Sequence, residues 1–435
     1  MDFSRSRDLQ QKSHQLIPGG AHTYAKADDQ YPQESPGFIT KGKGCHVWDV
    51  DGNEFIEYNM GLRGVTLGHA YKPVVQAAYV QMQKGNNFTR PAAIELECAE
   101  MLLELTNGGE MVKFVKDGST ATGAAVKLSR AYTGRDMVAI CRDHPFFSSE
   151  DWFIGTTAIA AGIPQTIRNL TIKFNYNNLE SVKALFEKYP GQIACVILEA
   201  VKYDDPVDDF LHNLKRLCHE NGSIFILDEM INGFRLHTGG GQQYYNVEPD
   251  LSTFGKALSN GFALSALVGK REIMDLGGIY HDRERVFLLS TTHGAECHAL
   301  AAAIATMEVY SQEDVIGSLW RQGEKLRLGV NQAIAAHNLQ DYFKVVGKPC
   351  NLVYATLDQN RKASQPFRTL FLQETIKRGL LLPSLVVSYA HSDDDIQKTI
   401  DGIDGALEVY RKALDEGVER YLVGPSVKPV YRQFC

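Results

Sequence analysis

The chain has no paired cysteine motif, no long apolar run and no excess of basic charge. Its eight cysteines are Cys45, Cys98, Cys141, Cys195, Cys218, Cys297, Cys350 and Cys435, and none has a CxxC neighbour. That spacing excludes zinc-ribbon and dithiol redox elements. In a chain of this length, scattered cysteines read as free thiols of a reducing, cytoplasmic compartment. No stretch of about 18 apolar residues occurs, so no membrane span is expected. The opening MDFSRSRDLQQKSHQ lacks the apolar centre of a secretion signal. The 45 basic residues are outnumbered by 52 acidic ones, so nothing resembles the basic footprint of a nucleic-acid binder. GxGxxG after a strand, GxxxxGK[ST], HExxH and GxSxG are also missing. Their absence removes the dinucleotide, P-loop, zincin and serine-hydrolase readings, and no metal site is expected.

What is present is an ordinary globular composition, 44% apolar and 22% charged over 435 residues. That length favours two or three units. A helix is expected over about 5–16, before Pro18-Gly19-Gly20. A hairpin follows, with Val47–Val50 and Glu54–Tyr58 as strands and Asp51-Gly52 as a tight turn. Val74, Val75, Ala78, Tyr79 and Met82 then recur with helical period over 73–84. From Met111, short apolar strands alternate with helices: strands at 111–115, 137–141, 193–198 and 224–227, helices at 119–132, 179–188 and 208–220. This alternation predicts an α/β fold with a mostly parallel sheet covered on both faces. After about residue 320 the pattern becomes α+β, with helices at 320–336, 367–378 and 394–416. We therefore expect an N-terminal segment, 1–65, packing with a C-terminal small domain, 321–435, and a large domain at 66–320.

Ligands of open α/β sheets sit at the carboxyl ends of the strands, and four features fall there. Lys116-Asp117-Gly118-Ser119-Thr120 opens a helix whose free N–H groups suit a phosphate. Asp143-His144-Pro145-Phe146-Phe147 offers an aromatic wall for a flat ring. Asp228-Glu229 follows a buried strand, where a carboxylate needs a positive partner. Lys256 lies in a glycine-rich loop, Gly255 to Gly261, with few other charges, so its amine can become a nucleophile. A plain helix cap, core packing, a salt bridge and a surface lysine would explain each one singly. Together they match the needs of pyridoxal 5'-phosphate: an amine for its aldehyde, a carboxylate for its ring nitrogen, a phosphate cradle and a wall.

Asp228-Glu229-Met230-Ile231-Asn232-Gly233-Phe234-Arg235 and Pro249-Asp250-Leu251-Ser252-Thr253-Phe254-Gly255-Lys256 resemble the signature of class III pyridoxal-phosphate aminotransferases. Within that class the chain is most similar to the glutamate-1-semialdehyde aminomutase branch. Pro18-Gly19-Gly20, Val47 to Gly52, Leu67 to Ala70, Leu128 to Arg135, Phe174 to Leu179, Ile197 to Glu199 and Ser388 to Ile396 carry the likeness along the chain. The resemblance implies a fold-type I enzyme whose small domain draws on both chain ends. It also implies a homodimer with shared sites, acting on a small-molecule amino donor and a carbonyl acceptor. By motif matching, Lys256 carries the cofactor and Asp228 pairs with its ring nitrogen. Phe146 stacks on the ring, Gly118 and Ser119 hold the phosphate, and Glu199 lies near the site floor. Thr292 reaches the phosphate in the partner subunit.

Some positions depart from the branch. Its phosphate loop reads Ser-Gly-Thr, where this chain has Asp117-Gly118-Ser119, so Asp117 is expected to turn away from a phosphate. The arginine that grips a substrate carboxylate is matched by Lys26, which cannot form the bidentate fork. Leu62 replaces a tryptophan before Arg63, and Phe147 replaces the histidine after the stacking aromatic. Lys26 and Arg63 are the candidate substrate contacts. These departures favour an aminotransferase that aminates a small aldehyde or keto acceptor over the intramolecular aminomutase.

Overall fold

The structure, a computed structural model, describes residues 1–106, 108–144 and 146–434. It divides into two compact units, one of residues 72–316 and one of residues 1–71 with 317–435.

The larger unit is built on seven strands: β1 (Met111–Val115), β2 (Met137–Cys141), β3 (Thr171–Phe174), β4 (Ile193–Leu198), β5 (Ile224–Asp228), β6 (Leu251–Phe254) and β7 (Ser265–Gly269). They form one sheet in the order β1-β7-β6-β5-β4-β2-β3. The pairings among β3, β2, β4, β5 and β6 are parallel. β7 runs antiparallel to both β1 and β6. Six strands therefore point one way, and their carboxyl ends share an edge.

The central strands are buried along their whole length. Alternate residues serve opposite faces. Val138, Ile140, Ile197 and Ile226 join one core layer with Ala124, Ala125 and Leu128 of the helix Gly118–Thr133. Met137, Ala139, Cys141, Val196, Phe225 and Leu227 join the other, against Phe186, Phe210 and Leu214. A strand covered on both faces has to be apolar throughout, which is why these runs were readable. Burying each Val, Ile or Leu contributes roughly 1.5–3 kcal/mol.

Two helices of this unit gave no amphipathic signal, Ala93–Leu105 and Cys297–Gln312. The second is buried almost all round its alanine-rich surface, so it has no polar stripe to mark its period. The helix Lys72–Lys84 differs from its sequence pattern. Val74 and Ala78 are buried, but Val75, Tyr79, Val80 and Met82 are exposed.

In the smaller unit, Ile39–Lys43, His46–Asp49, Glu54–Glu57 and Leu380–Leu381 form a four-stranded sheet, and Phe343–Val346 pairs with Val353–Thr356. The expected tight turn at Asp51-Gly52 is a wider loop. Asp49 accepts the N–H groups of Asp51 and Asn53, and Asn53 Nδ2 also donates to it, so the strand ends one residue early. Asp51 accepts the N–H groups of Arg5 and Ser6, at the start of the helix Ser4–Leu16. Phe343, Tyr354, Phe367, Phe371 and Tyr410 pack ring on ring at the centre of this unit. The helix Asp393–Glu416 starts at a reciprocal cap between Ser392 and Asp395, with three acidic residues in its first turn; both features favour a helix N-terminus. Among the described residues no helix is long and apolar enough to cross a membrane.

Candidate functional site

The carboxyl edge of the large sheet gathers the chemistry. Asp228 ends β5 and is 3% exposed. One of its oxygens accepts the Met230 N–H at 2.9 Å and the Thr253 hydroxyl at 3.1 Å. Burial pushes the Asp228 acid up to about 6, while the Lys256 ammonium, Met230 N–H and Thr253 hydroxyl draw it back. Such a carboxylate is short of positive charge, and a protonated ring nitrogen would supply it.

Lys256 lies two residues beyond β6, half-buried, with φ of 47°. A lysine in the left-handed region costs on the order of 1 kcal/mol, a strain that typically persists at functional sites. Its neighbour Gly255 has no room for a side chain. A Cβ there would sit 2.4 Å from Ser265 Oγ and 2.6 Å from Met230 Sδ. Gly118 faces Met230 from the other side, where a Cβ would meet the same sulfur at 2.8 Å. Met230 thus packs between the two loops, and a side chain at either glycine would have to displace it.

Gly118 and Ser119 are the first residues of the helix Gly118–Thr133, and neither N–H has an intrahelical partner. Asp117 is the N-cap of this helix. Its carboxylate is turned onto its own helix, accepting the Thr120 N–H and hydroxyl, each at 2.9 Å. The Ser119 hydroxyl accepts the Ser149 N–H at 3.0 Å. A cradle that a Cβ would fill, two open N–H groups and a charge-hungry carboxylate on one sheet edge fit pyridoxal phosphate.

Glu199 follows β4, is 4% exposed, and donates its N–H to His144 Nδ1 at 2.9 Å. Burial holds the His144 ring far below its ordinary value, at about 3. The ring is therefore neutral, with its proton on Nε2. Phe146 is 45% exposed and meets Phe153 in a T-shaped contact at 5.6 Å. Phe147 is buried. Thr292 sits in an exposed loop. Asn87 Nδ2 donates to its carbonyl, and Glu296 ties the end of the loop to Lys116 and His293.

The two substrate candidates belong to the smaller unit. Lys26 is exposed, at the end of the short turn Tyr24–Lys26. Arg63 Nε donates to Asn351 Oδ1 at 2.8 Å. Met60, Gly61, Leu62 and Arg63 all have φ between 43° and 72°, a complete left-handed turn. Cys45, His46 and Asp395 also bring ligand-type atoms within 4.8 Å of one another. Each has a structural partner: Cys45 donates to Asp395, and His46 bridges Glu54 and Asp395.

Three contributors escaped the sequence reading. Thr253 was visible only as part of a motif. Met230 acts through its backbone and its bulk. Glu229 is wholly buried and accepts the Gly241 and Gln242 N–H groups, each at 2.7 Å, with burial pushing its acid up to about 8. Sequence adjacency to Asp228 could not assign it that separate role.

The family model "Aminotransferase class-III" matches residues 28–407. The chain belongs to the class III aminotransferases. Among curated relatives, glutamate-1-semialdehyde 2,1-aminomutase of Francisella philomiragia is 33% identical over 424 residues, covering 91% of this chain and 96% of the relative. The FumI protein of Sphingopyxis, solved in its PLP internal aldimine form, is 25% identical with a TM-score of 0.86, over 95% of this chain and 98% of that one. The Pseudomonas aeruginosa glutamate-1-semialdehyde aminomutase shares the fold, with a TM-score of 0.81 at 19% identity over 93% and 94% of the two chains. This class III enzyme is an α/β protein of fold-type I, and its cofactor is pyridoxal 5'-phosphate.

The burial of Asp228 has a consequence in the cofactor-free protein. Its acid is raised from 3.8 to about 6, so between those values the folded state binds more protons than the unfolded one. Stability contributed by this group is present below about pH 4 and is lost as pH rises through about 6, by on the order of 3 kcal/mol. Denaturant unfolding across this window should show a steeper loss in wild-type apoprotein than in Asp228→Asn, whose remaining slope includes the one that buried Glu229 contributes in both chains. Equal slopes would remove the charge-starved carboxylate from the account.

Proposed function

We propose that this class III enzyme is an aminotransferase: it moves an amino group from a small-molecule donor to a small aldehyde or keto acceptor in two half-reactions. The observation that carries the reading is the Asp228–Lys256 edge, a buried carboxylate short of positive charge beside a strained, half-buried lysine. When bound, pyridoxal phosphate supplies an aldehyde that takes up the amino group and a ring that withdraws electrons from the substrate α-carbon.

The chain's own residues do the rest. Lys256 Nζ would hold the cofactor at rest and, once displaced by substrate, would carry a proton between the substrate α-carbon and the carbon of the cofactor's aldehyde. Asp228 keeps its negative charge against the ring nitrogen, so that the nitrogen stays protonated. The Gly118 and Ser119 N–H groups hold the phosphate, with the positive end of their helix behind them. Phe146 covers one ring face, and Glu199 lies at the floor.

The exposed Val75, Tyr79, Val80 and Met82 supply an apolar stripe suited to a homodimer contact. The exposed loop of Thr292 supports its role at the partner's phosphate. The seven described cysteines are buried and none is in a disulfide, which suits a reducing, cytoplasmic setting.

Aminomutase activity is the second reading, favoured by the name of the Francisella relative. Lys26 weighs against it. A guanidinium would grip a carboxylate in plane through two parallel bonds, and Lys26 offers one point charge on a flexible stem. Wild-type holoenzyme should be bleached by an amino donor and re-coloured by an acceptor, while converting glutamate semialdehyde to 5-aminolevulinate poorly. Efficient 5-aminolevulinate formation would make the aminomutase the function.

Thr292 has its own test. Subunits carrying Lys256→Ala and subunits carrying Thr292→Val should form hybrid dimers in which one site has both lesions and the other neither. Activity should reappear on mixing. Verified hybrids that stay inactive, when Thr292→Val alone weakens cofactor affinity, would assign Thr292 to its own subunit.

A further inference from the structure

The smaller unit contains a cavity of about 440 Å³ with His22, Lys26, Tyr31, Glu57, Leu62 and His69 in its wall. The wall segment that carries Lys26 is weakly built. It consists of two three-residue turns, Tyr24–Lys26 and Asp28–Gln30, separated by Ala27. Turns of this kind have few bonds of their own and are commonly held by what packs on them. From outside the segment, His14 reaches Asp28 at 2.8 Å. The other ties come from the far end of the chain. Lys428 N–H donates to the Asp29 carbonyl at 2.9 Å, Gln30 Nε2 donates to the Lys428 carbonyl at 3.0 Å, and the Arg432 guanidinium pairs with the Asp29 carboxylate.

The tail that provides these ties is itself anchored. It leaves the helix Asp393–Glu416 and runs past the helix Gln365–Ile376. The side-chain amide of Gln373, 1% exposed, donates to the Tyr421 carbonyl at 2.9 Å and accepts the Val423 N–H at 2.8 Å. Buried Thr369 accepts the Val427 N–H at 2.9 Å. Gly424, with φ of 85°, comes so close to Gln33 that a Cβ would lie 2.1 Å from its Oε1. A rigid helix thus fixes the tail, and the tail fixes the segment.

We infer that the C-terminal tail is part of the substrate site, with Arg432 and Lys428 as positioning residues that hold the Tyr24–Gln30 segment, and with it Lys26, in the cavity wall. The inference rests on the reading of Lys26 as a substrate contact. A lysine on a long flexible stem can discriminate an acceptor only if its backbone is held still, and here residues some 400 positions away in the sequence do the holding.

The test is hydrogen exchange on the holoenzyme. In Arg432→Ala, and in a chain lacking residues 428–435, exchange over residues 22–31 should speed up about tenfold. Peptides of the large unit, cofactor content and the melting temperature should stay at wild-type values. Arg432→Lys should keep most of the protection, and the exchanged pair Asp29→Arg with Arg432→Asp should recover it. These two variants also answer the case in which the truncated chain fails to fold. With succinic semialdehyde as the acceptor probe, the KM of Arg432→Ala should rise about fivefold with kcat less changed. Unaltered exchange over 22–31 in folded Arg432→Ala would overturn the inference. Faster exchange with an unchanged KM would support the tail's hold on the segment and instead overturn the role of Lys26 as a substrate contact.

Discussion

A carboxylate buried at the end of a strand must be met by positive charge, and much of the large unit is arranged around that demand. β5 can be buried on both faces only because its other residues are apolar, and it ends on the one residue that is not. The Thr253 hydroxyl and the Met230 N–H meet part of the need of Asp228. Neither carries a full charge, and even with the Lys256 ammonium nearby the acid stays raised, which leaves room for the positive charge of a ligand. The adjacent Glu229 is satisfied differently, by the two N–H groups at the start of the Gly240–Tyr244 turn. Two neighbouring carboxyl groups therefore have separate duties, one structural and one chemical.

The geometry of the edge follows from sheet direction. Because β7 alone is reversed, β1, β2, β4, β5 and β6 end on one side. That brings Gly118, Phe146, Glu199, Asp228 and Lys256 to the same edge from five separate segments. Met230 then sets the spacing of the Gly118 and Gly255 loops, since its sulfur fills the place a Cβ would take in either.

Much of this could be read from residues. Strands buried on both faces are continuous apolar runs, and the Asp228–Lys256 signature carries enough fixed positions to be specific. Burial says nothing about strand direction, so the reversal of β7 could not be read. A helix covered all round loses its period, which hid Cys297–Gln312; Ala93–Leu105 buries only Cys98 and Leu102 and leaves Leu96 exposed, so its apolar residues mark no single face. Apolar residues on Lys72–Lys84 looked like a single core face, yet Val75, Tyr79 and Met82 are exposed. Contributions made through backbone groups, such as the Met230 N–H and the Lys428 carbonyl, leave no mark in side-chain pattern. The tail's hold on Asp29 joins positions too distant for any local rule.

The central claim is that Lys256 is the amine that carries the cofactor. Borohydride reduction of the holoenzyme, followed by digestion and mass spectrometry, tests it directly. The account predicts the reduced cofactor mass on the peptide containing Lys256 and its loss in Lys256→Ala. The label on Lys270 or Lys113 of wild type would contradict it.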